Sequence, residues 1–455
     1  MRAMLCIKNG TIVSPEGRKK ADLFIEDGKI VSVGGELPFD ECWDAEGCLL
    51  FPGFIDAHTH LEMDTGSTVT ADSFASGTAA ALAGGTTVIL DFATQDKGHT
   101  LAEALEAWHS RADGNCSCDY GFHMAVTDWN EATKAELADM EREGVTSFKA
   151  YMAYDNLRLS DRELLELFEA TGGIGVCGVH CELGDEVNRR VAANLEAGRT
   201  GPEWHPRSRP NEVESLAVRR CLALAREAGG AAWVVHLSTA EGLREIETAR
   251  RAGQTVLVET CPQYLSLTDE VYEKPDFEGA KFVCSPPIRK EADKAALWQG
   301  IEGREVDIIS TDHCSFTFEQ KKLGLGNFSK IPNGLPGIEH RPAVVWACGV
   351  ASGKISAEAF CSLLSTEPAK AFGMYPRKGA LEAGSDADIV VWDPEAEAVL
   401  TAADMNMLAG YSPWEGMALH GLPKAVFLHG VLSAENGKVT RPNGGVFVRR
   451  GKSLR

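Results

Sequence analysis

The 455-residue sequence predicts an α/β fold, namely a (β/α)8 TIM-like barrel joined to a small β-sandwich domain that is built from both chain termini. Three observations predict it. Both ends of the chain are rich in short strand patterns, the long middle alternates strand patterns with helical ones, and several middle strands end in a histidine or an aspartate. Alternating strands and helices favour a parallel sheet, and a closed parallel barrel brings all its strand ends to one mouth.

The amino-terminal part of the chain contains short strand patterns separated by tight turns. Asn9-Gly10 and Asp27-Gly28 are dipeptides typical of such turns. Similar patterns return late in the chain, at residues 385–394, 424–439 and 444–450. A closed barrel places its two ends near each other, so we expect both β-rich ends to form one domain. The predicted limits are 1–53 and 376–455 for this small domain and 54–375 for the barrel.

The middle of the chain repeats a helical pattern followed by a strand pattern. Residues 72–84 predict a helix before the apolar strand pattern at 85–93, and residues 211–229 predict a longer helix before the strand pattern at 231–238. Such alternation indicates βα units and therefore parallel strands.

The run FPGFIDAHTH, residues 51–60, is an apolar strand pattern that ends in two histidines one residue apart. Side chains alternate across a strand, so His58 and His60 point the same way. Two imidazoles at the end of a buried strand, near Asp56, can bind one divalent ion. An isolated His-x-His pair also occurs by chance, so the interpretation depends on further ligands.

Later strand patterns end in the same kind of residue. Each of them is a short apolar run whose first polar group comes at its carboxyl end. A single buried histidine is more often a hydrogen-bonded core residue than a ligand, but a whole set at strand ends makes that explanation improbable. The residues concerned are His180, His236, Asp312 and His313.

Lys149 also closes a strand pattern, GVTSFKAYMAY. A lysine at a strand end is usually salt-bridged or extends to solvent, and its spacing alone favours that interpretation. However, four neutral imidazoles and one carboxylate would hold two divalent ions with excess positive charge. A carbamylated Lys149 would supply a bridging anion.

The composition excludes several classes of protein. The formal net charge of -21 argues against a nucleic-acid or anionic-membrane partner, since both select basic surfaces. No run reaches the ~18 apolar residues of a membrane span, and the amino terminus lacks the apolar core of a signal peptide. The 13 cysteines are scattered and odd in number, which indicates reduced thiols. We therefore expect a cytoplasmic protein.

With these residues in view, the chain resembles the dihydropyrimidinase and hydantoinase family of cyclic amidohydrolases, within the amidohydrolase superfamily. The resemblance runs nearly end to end and includes many ordered blocks besides the metal-binding motifs. These blocks are residues 84–95, 118–129, 147–156, 179–187, 201–214, 235–246, 259–265, 284–289, 310–316 and 333–341.

The resemblance implies a site with two divalent ions, expected to be zinc, and a small cyclic amide as substrate. It implies that Tyr154 helps to hold the oxyanion, that Asp312 is the general acid-base, and that backbone groups at Ser285 and Asn333 hold the imide edge of the ring. It also implies a homo-oligomer, commonly a tetramer. The implied metal ligands are His58, His60 and Asp312 for one ion, His180 and His236 for the other, and carboxylated Lys149 as the bridge.

The expected reaction opens dihydropyrimidines, hydantoins or both to an N-carbamoyl amino acid. Dihydroorotases carry an arginine two residues after the second histidine, and here that residue is Glu62, so a carboxylated ring is disfavoured. Mononuclear deaminases lack the bridging lysine. Two alternatives stay open: a related enzyme such as an allantoinase, and a catalytically silent dihydropyrimidinase-like scaffold protein, although the scaffold forms lack several of the histidines that this chain keeps.

The sequence departs from the family pattern at two places. Family members usually have apolar residues where this chain has Asp64, Thr65 and Gly66, and an acidic residue where it has His340. A polar loop after the first ligands would favour small or polar rings over a phenylhydantoin. Alternatively, Asp64 points to solvent and other residues line the pocket.

Overall fold

The computed structural model describes residues 3–452, and its amino-terminal part forms short strands. These strands lie in two different sheets. A four-stranded sheet has the order β5-β4-β1-β6, while β2, β3 and β7 join a seven-stranded sheet. The strands are β1 (Leu5–Lys8), β2 (Thr11–Ser14), β3 (Gly17–Lys20), β4 (Leu23–Glu26), β5 (Lys29–Val33), β6 (Glu41–Asp44) and β7 (Leu49–Pro52).

Eight parallel strands form the barrel, which confirms the predicted fold class. Neighbouring strands follow one another in sequence from β8 to β15. The bridge between Thr59 and His313 joins the two ends of this sheet and nearly closes it. The strands are β8 (Phe54–Thr59), β9 (Thr86–Thr94), β10 (Asp119–Ala125), β11 (Ser147–Tyr151), β12 (Val176–His180), β13 (Ala232–Val234), β14 (Val256–Thr260) and β15 (Ile308–Ile309).

Helices alternate with the barrel strands, and several begin with a side-chain cap. Thr100 and Glu103, for example, form a reciprocal capping box at the start of α2. Their side chains accept hydrogen bonds from backbone N–H groups that have no partner within the helix. The first helices are α1 (Phe74–Ala83), α2 (Leu101–Ala112), α3 (Glu131–Arg142), α4 (Asp161–Thr171), α5 (Gly184–Glu196), α6 (Trp204–Ser208) and α7 (Asn211–Glu227).

The second half of the barrel has two helices of 12 residues, α8 and α10, and several of only four or five residues. Within residues 3–452, no helix has both the length and the apolar character needed to cross a membrane. The helices are α8 (Ala240–Arg251), α9 (Pro262–Ser266), α10 (Glu291–Glu302), α11 (Phe318–Lys321), α12 (Arg341–Val345), α13 (Ala357–Cys361) and α14 (Glu367–Ala371). Short 3₁₀ or π turns occupy Asp269–Glu273, Glu278–Phe282, Lys322–Gly324, Phe328–Lys330, Trp346–Ala351, Ser362–Thr366 and Ala402–Asp404.

The carboxyl-terminal strands complete the seven-stranded sheet, whose order is β19-β18-β17-β16-β7-β2-β3. Strand β16 pairs antiparallel with β7, so residues from both ends of the chain share one sheet, as the sequence predicts. Side chains of the two small sheets share one buried apolar cluster that includes Ile7, Ile25, Leu50 and Ile389. The domain limits given above stay predictions. The last strands are β16 (Ile389–Val399), β17 (Ala418–Leu428), β18 (Val431–Glu435) and β19 (Lys438–Val439).

After β19 the chain returns to the barrel. Phe447 forms an isolated bridge with Tyr120 of β10. The buried Arg450 guanidinium donates to Ser147 Oγ at 2.7 Å and also to the Phe122 carbonyl. The strand pattern at residues 444–450 therefore packs against barrel strands, where its apolar side chains meet the aromatic rings of β10.

Candidate active site

His58, His60 and Asp312 meet where the first and last barrel strands end. Asp312 Oδ1 lies 3.2 Å from the Nε2 atoms of both histidines. The buried Asp56 carboxylate accepts hydrogen bonds from Thr311 N at 3.0 Å and Thr311 Oγ1 at 2.7 Å, and so fixes the β8 strand against the segment that carries Asp312. The ligand atoms of the three residues all lie within 4.8 Å of one another, a spacing that suits a metal ion.

His180 and His236 form a second pair beside the first group. His180 Nδ1 lies 3.0 Å from His236 Nε2, close enough for one ion to bind both nitrogens. The ring centroids of His236 and His58 are 5.4 Å apart. The structure thus brings four of the predicted ligand histidines and Asp312 to one mouth of the barrel.

His313 lies outside this group although it follows Asp312 directly. Its Nδ1 accepts hydrogen bonds from Gly337 N at 3.1 Å and Ile338 N at 3.3 Å, and its Nε2 lies 3.2 Å from the Asp72 carboxylate. It fixes the loop after the last strand.

Lys149, on β11, is buried next to both pairs of histidines. Its side chain packs against aromatic rings, with Nζ 4.9 Å from the Phe92 centroid and 5.3 Å from that of Tyr151. Across residues 3–452, no carboxylate oxygen comes within the 4.0 Å ion-pair distance of its amine. Lys149 therefore neither reaches solvent nor forms a salt bridge. Burial lowers the pKa of Lys149 to about 8, so part of the amine is unprotonated near neutral pH.

The donor set fits divalent metal ions of the zinc type. Imidazole nitrogen and carboxylate oxygen are the ligands such ions take in proteins. One buried ligand nitrogen of the set, His58 Nε2, has no hydrogen-bond partner among the described residues. Burial also lowers the pKa values of His58, His180 and His236, which keeps these imidazoles neutral, as metal binding requires.

Three residues of the site have left-handed backbone conformations. The φ angles are 38° at His236, 52° at Asp312 and 67° at Tyr154. Such angles cost a non-glycine residue about 1–3 kcal/mol, and they concentrate at functional sites. The surrounding packing therefore holds these side chains in place against local strain.

Two buried glutamates that the sequence reasoning missed orient the histidines. Glu259 Oε1 lies 2.7 Å from His58 Nδ1 and also accepts a hydrogen bond from His236 N at 3.1 Å. Glu182 Oε2 lies 2.9 Å from His180 Nε2 and accepts from the Arg209 guanidinium. The sequence signal was an acidic residue inside, or directly after, an apolar strand pattern.

Electrostatics keep two carboxylates of the site ionised despite their burial. Burial raises the pKa of Glu182, but the Arg209 charge and the hydrogen bond with His180 outweigh it and hold the pKa at about 2. At Asp312 burial likewise raises the pKa, and the hydrogen bond from His60 together with the nearby His236 and Lys149 side chains lowers it below its ordinary value. Asp312 is thus a carboxylate that can accept a proton.

The three predicted substrate-binding residues lie on adjoining segments. The Tyr154 ring lies 5.1 Å from that of His180 and adjoins Ser285. Gly334 N donates to the Val283 carbonyl at 2.9 Å, which ties the Asn333 segment to the Ser285 segment. Burial raises the pKa of Tyr154 to about 12, so its hydroxyl keeps its proton and can donate a hydrogen bond.

Glu62, which separates the chain from dihydroorotases, and the residues that depart from the family pattern have local structural partners. The Glu62 carboxylate accepts from Phe74 N at 3.0 Å, at the start of α1. Asp64 is exposed and accepts from Gly66 N at 2.7 Å within its own loop. His340 Nδ1 lies 3.4 Å from Ser412 Oγ, and burial lowers the pKa of this histidine to about 4.

Comparison with known proteins agrees with this geometry. The model of the amidohydrolase family matches residues 49–112 and 108–433. A D-hydantoinase from Ralstonia pickettii is 43% identical over 98% of this chain and 99% of that protein, and one from Geobacillus stearothermophilus is 43% identical over 98% and 96%. A crystal structure of dihydropyrimidinase from Brevibacillus agri superposes with a TM-score of 0.98 at 41% identity, covering 99% of this chain and 100% of that chain. The resemblance inferred from the sequence is thereby confirmed: the chain belongs to the amidohydrolase family, in its group of D-hydantoinases and dihydropyrimidinases.

Proposed function

We propose that this protein is an enzyme that hydrolyses the cyclic amide bond of dihydropyrimidines, hydantoins or both, and opens the ring to an N-carbamoyl amino acid. The convergence of His58, His60 and Asp312 at the barrel mouth, with 3.2 Å from Asp312 Oδ1 to each Nε2, is the observation that carries the proposal. The names of the relatives, D-hydantoinase and dihydropyrimidinase, support it.

Two divalent ions, which we propose to be Zn²⁺, fit this site. Bound there, they would polarise the amide carbonyl and lower the pKa of the attacking water from 15.7 towards ~7. The proposed ligands are His58, His60 and Asp312 for one ion and His180 and His236 for the other. Lys149 is proposed to be carboxylated and to bridge them, which its burial without an ion pair to any carboxylate among residues 3–452 supports.

Asp312 is proposed to move the proton. Its ionised carboxylate accepts a proton from the water as the water oxygen bonds to the amide carbon. When the bond from that carbon to the ring nitrogen breaks, Asp312 returns the proton to the nitrogen. One carboxylate thus acts first as base and then as acid.

Tyr154 and two backbone segments are proposed to hold the ring. The protonated Tyr154 hydroxyl would donate to the carbonyl oxygen as negative charge develops, a contribution of about 3 kcal/mol for such a donor. Backbone groups at Ser285 and Asn333 would bind the imide edge, which every hydantoin and dihydropyrimidine shares. This arrangement orients the ring without selecting one substituent.

We further propose that the protein is a cytoplasmic homotetramer, because members of the family it resembles are commonly tetramers. Light scattering of the purified protein tests the assembly.

A substrate panel tests the activity. Protein from zinc-supplemented expression is analysed for bound metal and assayed with hydantoin, dihydrouracil, allantoin and 5-substituted hydantoins by loss of ring absorbance. We expect about two zinc ions per chain and turnover of hydantoin or dihydrouracil. Turnover of allantoin alone would assign a different ring, and a metal-free protein without any turnover would favour a scaffold role.

A further inference from the structure

Lys321, the last residue of α11, is a buried lysine that the mechanism above does not use. It is fully buried, and its Nζ donates to three backbone carbonyls: Val283 at 2.8 Å, Pro332 at 2.6 Å and Gly334 at 2.7 Å. An ammonium group has three N–H donors, so all three are used. No carboxylate between residues 3 and 452 forms an ion pair with it.

Burying an ammonium group without a counter-ion is costly. Carbonyl dipoles offset the cost only where several converge on the charge, and here the three carbonyls come from two separate loops. Burial accordingly lowers the pKa of Lys321 to about 7. The lysine therefore joins the two loops at a cost in stability.

The three carbonyls lie beside the two segments that are proposed to bind the ring. Pro332 and Gly334 flank Asn333 on either side, and Val283 lies two residues before Ser285. The same Val283 carbonyl also accepts from Gly334 N at 2.9 Å. His205 Nε2 holds the next carbonyl, that of Cys284, at 2.8 Å. The neighbours of Ser285 and Asn333 are thus fixed through their carbonyls.

The Asn333 segment is also packed closely at Gly334. Gly334 has a φ of 149°, and a Cβ atom there would lie 2.2 Å from the Cys314 carbonyl oxygen. The backbone of this segment is therefore pressed against the strand-end segment that follows Asp312.

We propose that Lys321 is a positioning residue for substrate recognition: it clamps the Ser285 and Asn333 segments at the separation that the imide edge of the ring requires. The proposal rests on the proposed function, because it concerns the same ring. It assigns Lys321 to ground-state binding of the ring and leaves the metal ligands and the proton transfer to other residues.

Lys321→Met keeps an unbranched side chain that is one atom shorter and removes its donors, so it is the direct test. The matched control is Lys322→Met, because Lys322 is the next residue, is exposed, and pairs with Glu319 on the surface. Each variant is assayed with hydantoin and dihydrouracil and analysed for zinc. We expect Lys321→Met to raise KM about ten- to a hundred-fold, with less than a three-fold change in kcat and parental zinc content. Lys322→Met should behave as the parent.

Amide hydrogen exchange separates the clamp from general stability. In Lys321→Met, exchange should become about ten-fold faster in peptides that cover residues 283–286 and 332–335, with parental rates in β8 and β11. Lys321→Gln keeps two donors and should give an intermediate KM, and it replaces the methionine variant if that protein does not fold.

A parental KM in the Lys321 variants of an active enzyme would overturn the proposal for Lys321 alone. A fall in kcat and zinc content at parental KM would also overturn it, because the lysine would then act on the metal centre. If the parent turns over no cyclic amide, the proposed function fails, and the role of Lys321 in recognition fails with it.

Discussion

Glu259 Oε1 and His58 Nδ1 lie 2.7 Å apart, and both side chains are buried. An imidazole that donates its Nδ1 proton to a carboxylate presents Nε2 with a free lone pair, and that is the nitrogen 3.2 Å from Asp312. The tautomer of the first ligand is thus set by a residue 201 positions away in the sequence.

Glu259→Gln should weaken zinc binding about ten- to a hundred-fold, because an amide orients the imidazole less strongly than a carboxylate does. Chelator competition on the purified protein measures the affinity. Glu302→Gln, an exposed glutamate of α10, is the control. Parental zinc affinity in Glu259→Gln would show that His58 needs no such partner.

Lys149→Ala should abolish turnover, because the metal ligands then lack the bridging anion. Small carboxylic acids added to this variant should restore part of the activity by taking the place of the bridge. Intact-protein mass under non-denaturing conditions should show one added CO₂ on the parent only. Lys134→Ala, at an exposed site of α3, is the control. Full activity of Lys149→Ala without any additive would contradict the bridging role.

Asp312→Asn should lower kcat by about 10²- to 10⁴-fold even in preparations that retain zinc, because an amide cannot accept and return the proton. Activity is compared at equal zinc content, with the exposed Asp404→Asn as control. A zinc-loaded Asp312→Asn variant with parental kcat would assign the proton transfer to another group.

Asp64→Phe should raise kcat/KM for 5-phenylhydantoin relative to dihydrouracil by about ten-fold. The parent loop is polar and exposed here, and each buried methylene of new apolar contact contributes about 0.8 kcal/mol. Asp64→Ala removes the charge without adding apolar surface and is the control. The loop has no part in specificity if the parent already prefers the phenyl substrate and Asp64→Phe leaves the ratio unchanged.

His429 should make a contribution to stability that depends on pH. Its hydrogen bond to Asp119, at 2.9 Å, raises the pKa of this half-buried imidazole above 6.5. A pKa raised on folding means that the contribution is complete below about pH 6.5 and is lost as the pH rises through the folded-state value. The difference in thermal midpoint between the parent and His429→Gln should therefore be larger at pH 6 than at pH 9. His420→Gln, at an exposed position, controls for loss of an imidazole. An equal difference at both pH values would contradict the prediction.

The barrel and the grouping of its strand-end residues could be predicted from local sequence patterns. The alternation of strand and helix patterns indicates a parallel barrel, and a parallel barrel brings its strand ends together. His58 and His60 follow from the period of one strand, and Asp312 joins them because the last strand of a closed barrel neighbours the first. The buried residue that hydrogen-bonds to His58 could not be predicted in the same way, because it comes from a distant part of the sequence. Glu259 is recognised only once β14 lies beside His58, and nothing in the sequence marks which carbonyls will surround Lys321.

The pairing of β7 with β16 also dictates an order of events during synthesis on the ribosome. Strand β7 begins at residue 49 and β16 at residue 389, a separation of 340 residues. At ~5–20 residues per second, the hydrogen-bonding edge of β7 waits roughly 20 to 70 s for its neighbour. Throughout that time an apolar strand edge next to the nascent barrel is open to other chains. The seven-stranded sheet can therefore be completed only late in synthesis, and the edge of β7 is exposed to aggregation until then.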